Sequence, residues 1–442
     1  MAVRFQTPGR VAYVNARLLD PETGYDGAGG LLTEGEAIVG VGPGLFPDGP
    51  PEGAEVVDCA GCCLAPGLFD MRVQLREPGQ EHKETIATAG RAAAAGGVTS
   101  MVALPNTEPV VDDVAGVEFV ARRAREEKLA KVYTYAAITR QLEGSELTEM
   151  GLLTAYGAKG FIDGEHPVAD AQVMRRALSY ARAFDTVILQ APQEPSLSTG
   201  VMNAGELATR LGLSGLHPLA EVIQLERDLR LVEMTGGRYH ASLLSTAESV
   251  ALIRRAKNWG LPVTCDTAPH YFTLNEEAIG DYRTFAKVMP PLRAETDREA
   301  IAAAVADGTI DAVVSDHAPH DQDVKRVPFA QAAFGIVGLE SLLPLSLGLV
   351  HDGRLSLLNL VARLTATPAG IVGGRACLAA GQPADLVIFD PDAPGSLDPD
   401  SFLSKSKNSP FEDHQVRGRV LRTVVDGRPI FQAAATAVSP SN

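Results

Sequence analysis

The side chains able to do chemistry gather just after short apolar runs. Asp70, Arg72, Gln74 and Arg76 follow the first such run, Asn106 the second, Asp163 the fourth and Gln190 the fifth. Leu243 ends the sixth, His270 follows the seventh, and Asp316, His317 and His320 stand at the eighth. Convergent carboxylates and imidazoles are the raw material of a hydrolytic metal centre, because a divalent ion lowers the pKa of bound water toward ~7 and polarises a carbonyl. This set is poor for that purpose. A catalytic zinc normally holds three protein ligands, mostly His or Cys. Asp163 and Asp316 offer two carboxylates, which suit Mg2+ or Ca2+ better, and Arg72 brings a guanidinium that stays charged near neutral pH. His317 and His320 flank Ala318-Pro319 and read as rim hydrogen-bonding groups, and His270 reads as a structural histidine. Cys59-x-x-Cys62-Cys63 lacks a second pair at zinc-ribbon spacing, and neither a Gly-rich phosphate loop nor a G-x-S-x-G elbow is present.

The elements that must carry these residues alternate. Eight apolar β runs (Leu64–Asp70, Val98–Leu104, Val132–Ile138, Ala158–Asp163, Thr186–Gln190, Arg238–Leu244, Pro262–Thr267 and Ala312–Asp316) are separated by helical stretches such as His82–Ala95, Val114–Lys131 and Asp297–Asp307. That pattern predicts an α/β chain with a parallel sheet closed as a (β/α)8 barrel over residues 66–375, whose strand C-termini form the functional face. An open doubly wound sheet is the alternative, but no G-x-G-x-x-G follows the first run. Both ends read as short strands: Arg10–Leu18, Leu31–Val41 and Ala54–Cys59 before the barrel, Asp385–Asp390 and Val420–Val425 after it. They predict one small β-sandwich domain assembled from residues 1–65 and 376–442. The 442 residues are 45% hydrophobic and 21% charged, so a large core is expected and disorder is excluded. A formal net charge of −16 argues against nucleic acid and anionic membranes. The odd count of 5 Cys argues against a disulfide framework. The chain shows no run of ~18 apolar residues and no leader-like N-terminus, so a cytoplasmic location is expected.

Pro66–Pro109 (PGLFDMRVQLREPGQEHKETIATAGRAAAAGGVTSMVALPNTEP) resembles the first barrel unit of dihydroorotase, of the type found beside aspartate carbamoyltransferase. Ser315–Lys325 (SDHAPHDQDVK), Phe334–Ser341 (FGIVGLES), Lys287–Arg293, Ser245–Lys257 and Ser404–Phe411 are similar to later segments of that family, so the resemblance spans nearly the whole chain. It implies an amidohydrolase-superfamily barrel that uses zinc in the reversible closure of carbamoyl aspartate to dihydroorotate, a step of pyrimidine biosynthesis. The family places a His-x-His pair after the first strand, a bridging Asp after the fourth, His after the fifth and sixth, and an Asp that shuttles the proton after the eighth. On those positions this chain carries Arg72-Val73-Gln74, Asp163, Gln190, Leu243 and Asp316. Every imidazole ligand is gone. The resemblance assigns Arg76 and Asn106 to a substrate carboxylate and His320, Phe334 and Gly335 to further contacts, whereas the family's Asn before PPLR is Met289 here.

These features lead to three expectations: no metal cofactor; an ion pair from Arg72 to Asp316, Asp163 or both; and a catalytically silent homologue. The resemblance alone implies a role as structural partner of aspartate carbamoyltransferase, with a homo-oligomer left open. The alternatives are an active dihydroorotase with an altered site, or a hydrolase of another cyclic amide built round His166, His317 or His320. A carboxylated Lys159, as in related superfamily members, falls four residues short of the strand end.

Overall fold

The computed structural model describes residues 9–434. Its barrel strands are Leu68–Val73, Val98–Ala103, Lys131–Thr134, Val187–Gln190, Arg238–Ala241, Val263–Thr267 and Ala312–Val313. The fourth of the eight positions is reduced to Phe161, which bridges Ala136 on one side and Ile188 on the other. All pairings are parallel. The ring closes where Val73 pairs with His317 and the Gln74 N–H donates to the His317 carbonyl at 2.8 Å. The C-terminal ends of the first and eighth strands therefore meet, which brings Arg72 and Asp316 together although 244 residues separate them.

Helices cover the barrel for identifiable local reasons. Thr85 and Thr88 form a capping box at the start of Ile86–Ala95, Asp113 caps Val114–Glu127, and Thr246 caps Ala247–Asn258. Each side-chain oxygen satisfies an N–H that the first turn leaves without a partner.

The termini contribute to one eight-stranded sheet in which Arg10–Asp20, Tyr25–Glu34, Ala37–Gly42 and Glu55–Asp58 join Cys63–Pro66, Leu386–Ser396, Gln415–Val425 and Arg428–Gln432. Leu18, Leu31, Leu64, Leu386 and Val424 from both ends of the chain pack into a second core separate from the barrel's.

Two expected strands divide. Leu64–Asp70 changes sheets: Cys63–Pro66 pairs with Leu386–Ser396, and Leu68–Val73 enters the barrel. The switch falls at Gly67, whose N–H bonds the Asp385 carbonyl and whose missing Cβ would lie 2.1 Å from the Thr99 side chain. Leu31–Val41 is a hairpin rather than one strand, because Gly35 at φ +59 turns the chain. Among the described residues, no helix is long and apolar enough to cross a membrane.

Candidate functional site

The mouth of the barrel is organised by one buried ion pair. Arg72 Nε donates to Asp316 Oδ1 at 2.9 Å, with the two side chains 3% and 7% exposed. Arg72 also reaches Ser242 Oγ at 3.4 Å. Ser242 Oγ donates to Asp266 at 3.2 Å, and Asp266 Oδ2 meets His240 Nε2 at 2.8 Å. A polar chain thus crosses the barrel from the eighth strand through the first to the sixth and seventh. Burial works against the Arg72 charge, but the Asp316 and Asp266 carboxylates outweigh it and hold the guanidinium above its ordinary value. Burial pushes the Asp316 carboxyl up to about 7, with Arg72 pulling the other way. His270 Nε2 lies 3.9 Å from Asp316 Oδ2, and burial drives that imidazole down to about 3, which keeps it neutral.

The other expected ligand positions point to different partners. Asp163 does not meet Arg72. It accepts from the Thr139 N–H at 2.9 Å and the Thr139 hydroxyl at 2.5 Å, and burial pushes it up to about 6. Gln74 Nε2 donates to Glu165 at 3.0 Å. Gln190 accepts from the Val168 N–H at 2.8 Å and donates to Asp228 at 2.5 Å. Leu243 is fully buried, and its N–H donates to Asp266 at 2.6 Å. Arg76, Leu243 and Asp316 all sit at positive φ, +60, +57 and +49. Non-glycine residues rarely adopt this conformation, and it clusters where side chains are aimed at a site. At Leu243 it aims a hydrocarbon.

Zinc does not fit these residues. Among the described residues, no three His, Cys, Asp or Glu side chains gather where they could hold an ion. At the first-strand position a cation already binds the eighth-strand carboxylate, Asp163 is turned to Thr139, and two amides and a hydrocarbon stand at the other positions. A hydrolase centre rebuilt from other histidines does not form either. His317 accepts from the Gly338 N–H and lies 3.4 Å from Glu84, His320 lies 3.1 Å from Arg76, and His166 is exposed.

The positions tied to substrate binding partly converge. Arg76 Nε donates to the Pro319 carbonyl at 3.1 Å, and Gly335 packs against Ala318 and His320. Asn408 binds this rim by accepting from the His320 N–H and donating to the Ala318 and Gly335 carbonyls. Phe334 is turned to Lys287, whose ammonium lies 4.5 Å from the ring centroid. Asn106 lies against Gly164.

Several residues of the site escaped the sequence reading, Glu165, Asp266 and Asp228 among them. Gly164 at φ +63 reverses the chain and places Glu165 over the mouth. Asp266 sits within the seventh barrel strand, where an acid among small and apolar residues was a usable signal. Asp228 shares the buried face of Leu219–Thr235 with Leu225, Leu229 and Val232, a spacing visible in the sequence.

Comparison with known proteins agrees with this architecture. A family model described as dihydro-orotase-like matches residues 61–249. A dihydroorotase of Anaplasma phagocytophilum is 46% identical over 428 residues, 96% of this chain and 95% of that protein. One from Syntrophotalea carbinolica is 45% identical over 427 residues, 96% and 99% of the two chains. In fold, the chain is similar to an L-hydantoinase (dihydropyrimidinase) from Arthrobacter aurescens, with a TM-score of 0.86 at 23% identity and 97% of each chain covered. A dihydropyrimidinase from Brevibacillus agri gives 0.83 at 21%, covering 96% of this chain and 95% of that one. The barrel with its terminal sheet is thus shared with the hydantoinases, and on its full-length relatives the chain belongs to the dihydroorotase family.

Proposed function

We propose that this dihydroorotase-family chain does not generate metal-bound hydroxide and serves instead as a structural partner of aspartate carbamoyltransferase. The observation that carries the first half is the Arg72–Asp316 pair, buried at the strand ends where a hydrolytic ion would have to sit. Two like charges ~4 Å apart cost roughly 4 kcal/mol at an effective dielectric of ~20. An arriving cation would meet that repulsion and would also have to take Asp316 from Arg72. The partner role rests on the family resemblance. It is physically compatible with a barrel whose fold, caps and terminal sheet are intact while its ligand positions have drifted. Gel filtration of this chain mixed with the aspartate carbamoyltransferase of the same organism is expected to give a stoichiometric complex larger than either component. Two independent peaks at all concentrations would remove the scaffold.

A second reading, an active dihydroorotase, is favoured by one specific finding: proteins 43–46% identical over nearly their full length carry that name. The retained Arg76, His320 and Gly335 rim is consistent with it. In that reading Asp316 would take a proton from water while Arg72 faces the developing negative charge. Doing so without a metal forgoes several kcal/mol of transition-state stabilisation.

A further inference from the structure

A cationic groove lies at the other end of the barrel. It has a volume of about 440 Å³ and runs between the helix Val114–Glu127, the base of the third and fourth barrel strands and the hairpin after Val425. Its lining includes Arg125, Lys128, Lys131, Lys159 and Arg428 but, among the described lining residues, a single carboxylate, Asp426. Asp426 is occupied by Lys131 at 2.7 Å, which also binds Asp385 at 2.7 Å. Neither Lys159 nor Arg428 has a carboxylate partner among the described residues: Lys159 lies 4.9 Å from the Tyr133 ring centroid, and Arg428 donates to the Lys128 carbonyl. In a chain of net charge −16, this is a marked local excess of positive charge.

Arg125 and Lys128 alone would signify little, since cations suit a helix C-terminus. Lys159 comes from the segment leading into the Phe161 bridge and Arg428 from the terminal sheet, so no helix end explains them. Two aromatic rings complete the lining: Tyr133 is half-buried, and Tyr156 is 50% exposed. The apolar floor is supplied by Val117, Ala121 and Val132. A volume in the range of small-molecule pockets, ~300–1,000 Å³, separates this feature from an open basic surface. Phosphate oxygens would take the cations, and a flat heterocycle would take the exposed Tyr156 ring and the apolar floor, since Tyr133 already stacks on Phe69 and lies under Lys159.

We propose that this groove binds a phosphorylated aromatic ligand of the nucleoside monophosphate class. It is distinct from the barrel mouth and does not depend on how the mouth is read. Cations from three elements would close on the phosphate at once, which couples the terminal sheet to the barrel through the ligand.

The test is isothermal titration calorimetry of the full chain with AMP and with UMP, alongside adenosine and inorganic phosphate. Saturable nucleotide binding that weakens as salt is raised is expected, with adenosine and phosphate each far weaker. Lys159→Ala and Arg428→Ala should each weaken it by about tenfold, the worth of a hydrogen bond to a charged group. Both side chains lie at least partly in solvent, and an unchanged melting temperature without ligand checks that the variants fold. Lys83→Ala, near Arg76 at the mouth, should leave affinity unchanged. No saturable binding at millimolar nucleotide would overturn the proposal. So would phosphate binding as tightly as AMP, indifference to both groove variants, or loss of binding with Lys83→Ala.

Discussion

Arg72→Met is expected to destabilise the chain by about 3–5 kcal/mol, the usual cost of leaving one member of a buried ion pair behind. Asp316 would keep its buried place near His270 and Asp266 with no guanidinium hydrogen-bonded to it. Asp316→Leu should cost a similar amount, because it strands a guanidinium that does not deprotonate. The double variant, Arg72→Met with Asp316→Leu, should recover most of the loss, since replacing a whole buried pair by packed apolar groups is often neutral or stabilising. Urea unfolding of the four proteins gives the coupling energy directly. Additive single effects would mean that the two side chains do not act as a pair.

The second large effect is a gain. Residues 72 and 74 lie two apart at the end of one barrel strand, so their side chains share a face. Arg72→His combined with Gln74→His removes the guanidinium and adds two imidazoles beside Asp316, which makes three protein ligands, the number a catalytic zinc normally has. Removing a like charge worth roughly 4 kcal/mol corresponds to about a thousandfold in affinity before any new bond is counted. Competition against a chromophoric chelator should therefore show tight zinc uptake by the double variant and only weak uptake by the parent chain. Equal affinities would mean that Arg72 is no obstacle to a metal.

Much of this was legible in the sequence because the barrel repeats one simple signal, an apolar run followed by a helix, and places chemistry after each run. The positions of Arg72, Gln74, Gln190, Leu243 and Asp316 at strand ends followed from that rule together with the family resemblance. The choice of partner did not. Asp163 and Asp316 looked equivalent as acids facing Arg72, and only the ring closure between Val73 and His317 assigns the guanidinium to Asp316. Asp163 is turned to Thr139, a residue with no signal of its own in the sequence. The fourth strand was expected over six residues and survives as the Phe161 bridge, since strand length depends on neighbours that a single segment does not reveal. In the sequence Lys159 reads only as a candidate carboxylated ligand for the mouth. The structure puts it at the barrel base, two residues before Phe161, where strand direction, not residue type, decides which end it serves.

The most direct measurement is dihydroorotate turnover, followed in both directions by the purified full chain with and without added zinc. The buried guanidinium predicts no ring opening or closure above the uncatalysed background in either condition. Zinc-stimulated turnover by the unaltered chain would contradict it, because an ion would then have reached Asp316 despite Arg72.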